Sequence, residues 1–267
     1  MQTLPAPANV AGILAFDFDG TIHGGKQKPP ITPQFLQQIE ILRKKKNYLW
    51  GICTGRSLMH LVEGMSQGLT FLPDFVVARE REIHFPGRFH RFEPDFKWNK
   101  KCEKAHQKLF KKFRKEMREI QNYVEEVVEG QWIEAPGEPA GVILKHKDAM
   151  DDLLEEITRI AGHQPKLNYE RNGVYLRFSH SDYSKGSALL EIAERWSITP
   201  TSIITGGDNF NDFSMLCRQV SENPVCPENA VPEVKNLVKE QGGVIGVGHA
   251  SLGITDALKK VFPDELS

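Results

Sequence analysis

The sequence predicts an α/β protein, a parallel-sheet core interrupted by an inserted α+β segment. Three observations carry that reading. Short, wholly apolar runs alternate with helical spacing from Gly12 to Ala78, the grammar of strands buried on both faces and covered by helices. Beyond Ala78 the pattern changes to amphipathic helices and alternating strands. Beyond Lys185 the first grammar returns.

Taken in order, Gly12-Ile13-Leu14-Ala15-Phe16 stops abruptly at Asp17, as a buried strand does. Pro33 to about Lys46 reads as a helix, with Thr32 at the N-cap, Pro33 at the first helical position, and Phe35, Ile39 and Leu42 at helical spacing. Tyr48 to Cys53 and Phe75 to Ala78 read as further buried strands. Ile83 to Phe92 reads as a hairpin turning at Pro86-Gly87. A long helix follows with Cys102, Leu109, Phe113, Met117, Ile120, Val124 and Val127 on one stripe. Its other face carries Lys101, Lys104, Lys108, Lys111, Lys112 and Lys115, read as a solvated face. Strands near Trp132 and Val142, a helix from about Ala149 to Ile160 and a hairpin at Asn172-Gly173 complete the segment. In Val174 to Ser179, alternation puts Val174, Leu176 and Phe178 on an apolar face and Tyr175, Arg177 and Ser179 on the other. The final stretch reads as a helix from Gly186 to Trp196, a strand from Ser202 to Thr205 and a short helix from Asn211 to Cys217. The chain thus divides into a Rossmann-like core, residues 1–81 and 182–267, and an insert, residues 82–181.

Composition narrows the function classes. At 267 residues with 40% hydrophobic and 26% charged side chains, the chain is long enough for a core that needs no staples. A net charge of −1 supports neither a nucleic-acid nor an acidic-membrane partner. Cys53, Cys102, Cys217 and Cys226 lie far apart, with no pair at metal-ligand spacing and nothing that requires an oxidising compartment. The N-terminus lacks a signal-peptide pattern, and no apolar run approaches the ~20 residues of a membrane span. A cytoplasmic protein is the expectation. Oligomeric state is not legible.

The chemistry-bearing residues fall at strand ends. Asp17-Phe18-Asp19-Gly20-Thr21 follows the first strand immediately, and in open α/β sheets ligands bind at the carboxyl ends of strands. Alternation sends Asp17 and Asp19 to one side, where two carboxylates beside a flexible glycine can serve as a metal site and an acid/base pair. Thr54-Gly55-Arg56 ends the second strand, Lys185-Gly186 opens a helix, and Gly206-Gly207-Asp208-Asn209-Phe210-Asn211-Asp212 follows a later strand. Each piece alone has a plainer reading: a turn, a helix cap, a surface charge, an acidic loop. All four, in this order and each at a strand end or helix start, argue for a site.

Together these motifs resemble those of the haloacid dehalogenase superfamily, Asp-x-Asp-Gly-Thr, Thr or Ser, Lys, and Gly-Asp-x-x-x-Asp, over essentially the whole chain. The insert between Thr54 and Lys185 resembles the branch with an α+β cap between the second and third motifs. Gly207 to Met215 resembles the Cof-type and sucrose-phosphatase-like subgroup. The resemblance implies a Mg²⁺-dependent phosphatase of a small phosphorylated metabolite, a sugar phosphate for preference. It implies that Asp17 attacks phosphorus to give an aspartyl phosphate, and that Asp19 is the general acid and then the general base. Mg²⁺ would be held by the Asp17 carboxylate, the Asp19 main-chain carbonyl and Asp208, with Asn211 and Asp212 orienting waters or Lys185. Gly20, Thr21, Thr54, Gly55 and Lys185 would bind the phosphoryl group, and Arg56, Tyr175 and Arg177 would bear on specificity. Cof-type relatives carry Asn-Gly after the third strand where this chain has Arg79-Glu80-Arg81-Glu82. Sucrose-phosphatase-like relatives are closer there, with an acidic residue just before the cap's first strand.

Two other readings stay open on the same residues. A phosphotransferase or phosphosugar mutase would share every core residue and pass the phosphoryl group to a sugar hydroxyl. A sugar-phosphate sensor would need no nucleophile, and the joint presence of Asp17, Asp19, Lys185 and Asp208 argues against it. No Gly-x-x-x-x-Gly-Lys loop is present, and Gly243 to Gly248 lacks dinucleotide-binding spacing, reading instead as a strand and turn.

Overall fold

A computed structural model describes residues 1–25, 27–134, 141–162 and 164–267. The chain divides into two units, Met1–Trp98 with Lys185–Ser267, and Asn99–Ser184. From the N-terminus run β1 (Gly12–Phe16), α1 (Pro33–Lys46), β2 (Tyr48–Cys53), α2 (Leu58–Ser66), β3 (Phe75–Ala78), β4 (Glu82–Pro86) and β5 (Phe92–Pro94). Next come α3 (Phe96–Lys112), α4 (Arg114–Glu126), β6 (Gln131–Ile133), β7 (Gly141–Ile143), α5 (Ala149–Ala161), β8 (Leu167–Asn172) and β9 (Tyr175–His180). The main unit resumes with α6 (Lys185–Arg195), β10 (Ile203–Gly206), α7 (Phe213–Leu216), β11 (Asn223–Pro227), α8 (Pro232–Glu240), β12 (Val244–Gly246) and α9 (Ser251–Val261).

In the main unit eight strands lie in the order β12-β11-β10-β1-β2-β3-β4-β5. From β12 to β3 every pairing is parallel. β1, β2 and β3 are buried along their whole length, which explains their unbroken apolar sequence. Phe16, Phe35, Ile39, Trp50, Ile52 and Ile254 share one core cluster. α1 begins as the sequence indicates, Pro33 presetting the first turn, although the Thr32 hydroxyl makes no capping bond. It ends on Asn47 in the left-handed conformation, φ 55°, after four basic residues that suit the negative end of the helix dipole. Arg43, one of them, pairs with Asp74, which also accepts from the Trp50 N–H at 2.9 Å and so ties α1 to β2.

The chain leaves β1 for β2 and β3 on one side and returns through β10, β11 and β12 on the other. The crevice at the carboxyl ends of β1 and β10 is therefore a topological switch point, where open α/β sheets bind ligands.

Residues 82–98, expected within the insert, belong to the main unit, and residues 182–184, expected in the core, belong to the inserted unit. β4 pairs antiparallel with β3, Val76 opposite His84, and β5 pairs with β4. The hairpin therefore extends the main sheet, a pairing that short-range sequence pattern does not register. Trp98 is buried and its indole N–H donates to the Arg81 carbonyl at 2.8 Å.

The inserted unit carries a sheet in the order β6-β7-β9-β8, wholly antiparallel. Leu176 and Phe178 on β9 pack with Ile120, Val124, Leu153 and Ile157 from the helices. Ser179, expected on the outward face, is buried at 3% exposure. The expected single helix is two, α3 and α4, parted at Phe113, whose φ of −98° and ψ of 25° leave the helical region. Phe113 still donates to the Leu109 carbonyl and its own carbonyl accepts from Met117, so the apolar stripe continues across the break. It ends at Val124, since Val127, just past the last residue of α4, is 61% exposed. Among the described residues, no helix is long and apolar enough to cross a membrane.

Candidate active site

β1 delivers Asp17 and β10 delivers the Gly207-to-Asp212 loop side by side, because the two strands pair directly with Phe16 opposite Gly206. The Asp17 N–H donates to the Gly206 carbonyl at 2.8 Å, carrying the ladder one residue beyond β1. Asp17, Asp208 and Asp212 each place a carboxylate oxygen within 4.8 Å of the others. Lys185, first residue of α6, is fully buried, with its ammonium 2.7 Å from both Asp17 Oδ1 and Asp212 Oδ1. The other Asp212 oxygen accepts from the N–H groups of Asp208 and Asn209, at 2.8 and 3.0 Å. Thr21 donates its hydroxyl to Asp208 Oδ1 at 2.8 Å. Gly20 lies at φ +80°, and a Cβ there would stand 2.4 Å from an Asp208 oxygen, so only glycine closes this loop.

The electrostatics follow from crowding. Burial pushes the Asp17 carboxyl well above its usual range, Lys185 working against that and Asp212 and Asp208 adding to it. Burial, then Asp212, pushes Asp208 up to about 7, against Thr21 and Lys185. Burial alone would depress the Lys185 ammonium, but Asp17, Asp212 and Glu80 outweigh it and hold it well above the usual lysine range. Four carboxyl groups, Asp17, Asp208, Asp212 and Glu80, crowd one ammonium in a nearly dry site, and the resulting repulsion is what raises Asp17 and Asp208 beyond the effect of burial. A hard divalent cation that takes oxygen ligands fits such a donor set.

Asp19 faces elsewhere. Arg56 holds its carboxylate in a two-pronged pair, Nε to Oδ2 and Nη2 to Oδ1, both 2.6 Å. The guanidinium stacks 5.1 Å above the Phe18 ring and donates to the His60 carbonyl. Arg56, expected to meet substrate, meets Asp19. Thr54 follows β2 and its backbone N–H extends the pairing with β3 by donating to the Val77 carbonyl. Its hydroxyl accepts from the Arg56 N–H at 3.1 Å, leaving the hydroxyl proton to donate. Asn211 is buried and donates to Glu80 at 3.0 Å. Tyr175 and Arg177 lie in the inserted unit on β9, Tyr175 56% exposed and Arg177 directly across from Glu170.

Two residues at the site carry no motif. Glu80 approaches Lys185 to 3.4 Å; its only sequence signal is the acidic residue in the departure after β3. Asn229 donates to the Gly20 carbonyl at 2.8 Å while accepting from the Ala250 N–H at 2.7 Å. It pins the loop after β1 from far along the chain, a contact only the folded topology creates.

Comparison with known proteins identifies the family and the fold. Residues 89–250 match a family model described as haloacid dehalogenase-like hydrolase. A protein of Streptococcus pyogenes serotype M6, provisionally named as a phosphatase, is 37% identical over 79 residues, 28% of this chain and 29% of that relative's length. Among solved structures, the sucrose-phosphatase of Synechocystis sp. PCC6803, in complex with sucrose and phosphate, superposes with a TM-score of 0.68 at 17% identity, covering 94% of this chain and 98% of that one. The haloacid dehalogenase-like hydrolase protein yhjK of Bacillus subtilis gives 0.64 at 20% identity, over 97% and 95% of the two chains. The subclass IIB sugar phosphatase BT4131 gives 0.61 at 17% identity, over 94% and 99%. At these identities the structural likeness establishes the fold.

Proposed function

The chain belongs to the haloacid dehalogenase-like hydrolase family, and from that premise we propose that it is a Mg²⁺-dependent phosphatase of a small phosphorylated metabolite, a sugar phosphate for preference. One observation carries the reading: Asp17, Lys185, Asp208 and Asp212 converge at the switch point between β1 and β10. A buried lysine fixing a carboxylate beside two more is the arrangement of a held nucleophile next to a cation site.

Phosphate monoesters hydrolyse so slowly in water that catalysts approach ~10²¹-fold acceleration. Splitting the reaction lowers the demand on each step. Asp17, oriented by Lys185, forms a bond to phosphorus as the ester P–O bond breaks. The departing oxygen takes a proton from Asp19, which later removes one from the water that hydrolyses the aspartyl phosphate. For this Asp19 must leave Arg56, take up a proton from solvent and then meet the reacting oxygen. Lys185 and the Thr54 hydroxyl would hold phosphoryl oxygens, supported by Gly20, Thr21 and Gly55. Asp17, Asp208 and the Asp19 main-chain carbonyl would hold Mg²⁺. Asp212, already bonded to Lys185 and two N–H groups, would fix that lysine and the Asp208 backbone. The ion would offset the carboxylate charge and that developing on the phosphoryl oxygens.

A sugar-phosphate substrate is supported by the sugar phosphatases among the structural neighbours. Four free cysteines suit a reducing, cytoplasmic setting. A phosphate-release screen across sugar phosphates, sugar-acid phosphates, nucleotides and phosphorylated cofactors tests the proposal, each run with and without a sugar acceptor. Release from a sugar phosphate independent of acceptor is expected. Release that gives way to phosphorylated acceptor would identify a phosphotransferase, and no turnover on any class would remove the enzymatic reading.

A further inference from the structure

The turn after β3 sets two consecutive non-glycine residues in the left-handed region, Arg79 at φ 49° and Glu80 at φ 68°. Any residue with a Cβ disfavours that region, and such conformations persist only where surrounding contacts over-determine them. Here the Arg79 N–H donates to the Arg56 carbonyl and the Glu80 N–H to the Thr54 carbonyl, both at 2.9 Å. The turn is thereby laced to the segment after β2 and directs Glu80 inward, to 7% exposure. Asn211 holds Glu80 Oε1 at 3.0 Å. Glu80 Oε2 lies 3.4 Å from the Lys185 ammonium, buried and without a hydrogen-bond partner. Gly55 makes room for this carboxylate, because a Cβ there would stand 2.6 Å from Oε1.

We propose that Glu80 is a positioning residue for Lys185, the reserve anion that keeps the ammonium in place while Asp17 is esterified. The inference rests on the phosphatase reading above. An ammonium has three N–H donors, and Asp17 and Asp212 take two of them at 2.7 Å in the resting site. When Asp17 bonds to phosphorus, the ester P–O electron pair leaves with the departing oxygen, which takes its proton from Asp19. Asp17 then ceases to be an anion and becomes a weak acceptor, while Lys185 keeps all its protons. Lys185 is fully buried, so no bulk water replaces the lost partner. Glu80 Oε2, an open acceptor already aimed by Asn211, closes on the ammonium. Asp212 and Glu80 hold Lys185 at two points, and the hydrogen released by Asp17 turns to the phosphoryl oxygen. Before the ester forms, Asp17 and Asp212 suffice. Glu80 therefore matters most for the second step, hydrolysis of the intermediate.

The variant Glu80→Gln keeps the shape and the Asn211 acceptor but removes the charge. With p-nitrophenyl phosphate at saturating Mg²⁺, kcat should fall about 10- to 100-fold, the loss typical of removing a residue that positions a site group. KM should fall or hold, because the slowed step follows substrate binding. Rapid mixing should show a burst of p-nitrophenol approaching one equivalent per enzyme, with acid-stable-on-quench phosphoenzyme recovered in the same amount, and an unchanged thermal melt. A general loosening of the site would slow both steps and give no burst. An active wild type beside a Glu80→Gln variant with wild-type kcat, or with reduced kcat and no burst, overturns the Glu80 role alone. A wild type inactive on every phosphoester overturns the phosphatase reading and this role with it.

Discussion

Asp17 shares one ammonium with Asp212 and lies within 4.8 Å of two other carboxylates, so its loss and the loss of a cation have separate signatures. Asp17→Asn keeps the volume but removes the nucleophile, and phosphate release should fall by ~10³-fold or more. Near-wild-type turnover in that variant would end the covalent mechanism. Stripping divalent ions with a chelator should also abolish turnover; Mg²⁺ should restore it and Ca²⁺ should not, since the larger ion takes a looser shell of more ligands. Full activity after exhaustive chelation contradicts the cation site. At this scale Asp17, Lys185, Asp208 and Asp212, which the fold gathers into one cluster, could be singled out in the sequence because each stands at a strand end or helix start. Asn229 was beyond it, and Glu80 showed only as an acidic residue in the departure after β3, with no sign of its role. Their partners Lys185, Asn211, Gly20 and Ala250 are contacts of the folded chain, and acidic or amide residues in turns are ordinary. Arg56 was visible as a residue but not its partner, as only the loop after β1 brings Asp19 to it.

Elements were legible where burial dictates an unbroken run. β1, β2 and β3 have the same ends in the sequence reading and in the structure, being apolar throughout and stopped by a charged or polar residue. The hairpin at residues 82–94 was legible as a hairpin but not as part of the main sheet, because pairing between β3 and β4 is decided by register rather than by composition. The β8–β9 hairpin offers a clean energetic test. Asn172 pairs with Tyr175, so Gly173 and Val174 form a two-residue connection, and Gly173 takes a φ of +60° with nothing within 4 Å of where a Cβ would lie. No clash can contribute, and the whole cost of Gly173→Ala is the left-handed backbone, about 1–2 kcal/mol. Urea titration followed by a spectroscopic probe in the inserted unit should show a lowered midpoint of that size with an unchanged slope. An unaffected midpoint would mean the turn relaxes to another geometry.

Across the whole molecule the acidic cluster, Lys185, Thr54 and Arg56 all belong to Met1–Trp98 and Lys185–Ser267. The inserted unit adds none of them, yet it has its own core and sheet. We propose that the inserted unit chooses the substrate. Within it, β9 buries Leu176 and Phe178 and turns Tyr175 and Arg177 the other way, with Glu170 across from Arg177. An amphipathic aromatic, a planar cationic fork and a carboxylate on one sheet face supply the hydrogen bonds and stacking that a sugar or an anionic metabolite requires. Arg177→Ala should therefore raise KM for the best natural-type substrate about tenfold or more, the worth of one charge-assisted hydrogen bond. Turnover of p-nitrophenyl phosphate, whose leaving group offers nothing for a guanidinium to grip, should stay within about twofold. Binding lost with kcat kept marks an interaction made equally in ground and transition states. An equal decline on both substrates would instead place the role of Arg177 in folding, through its pairing with Glu170, and kinetics unchanged on both would remove it from recognition.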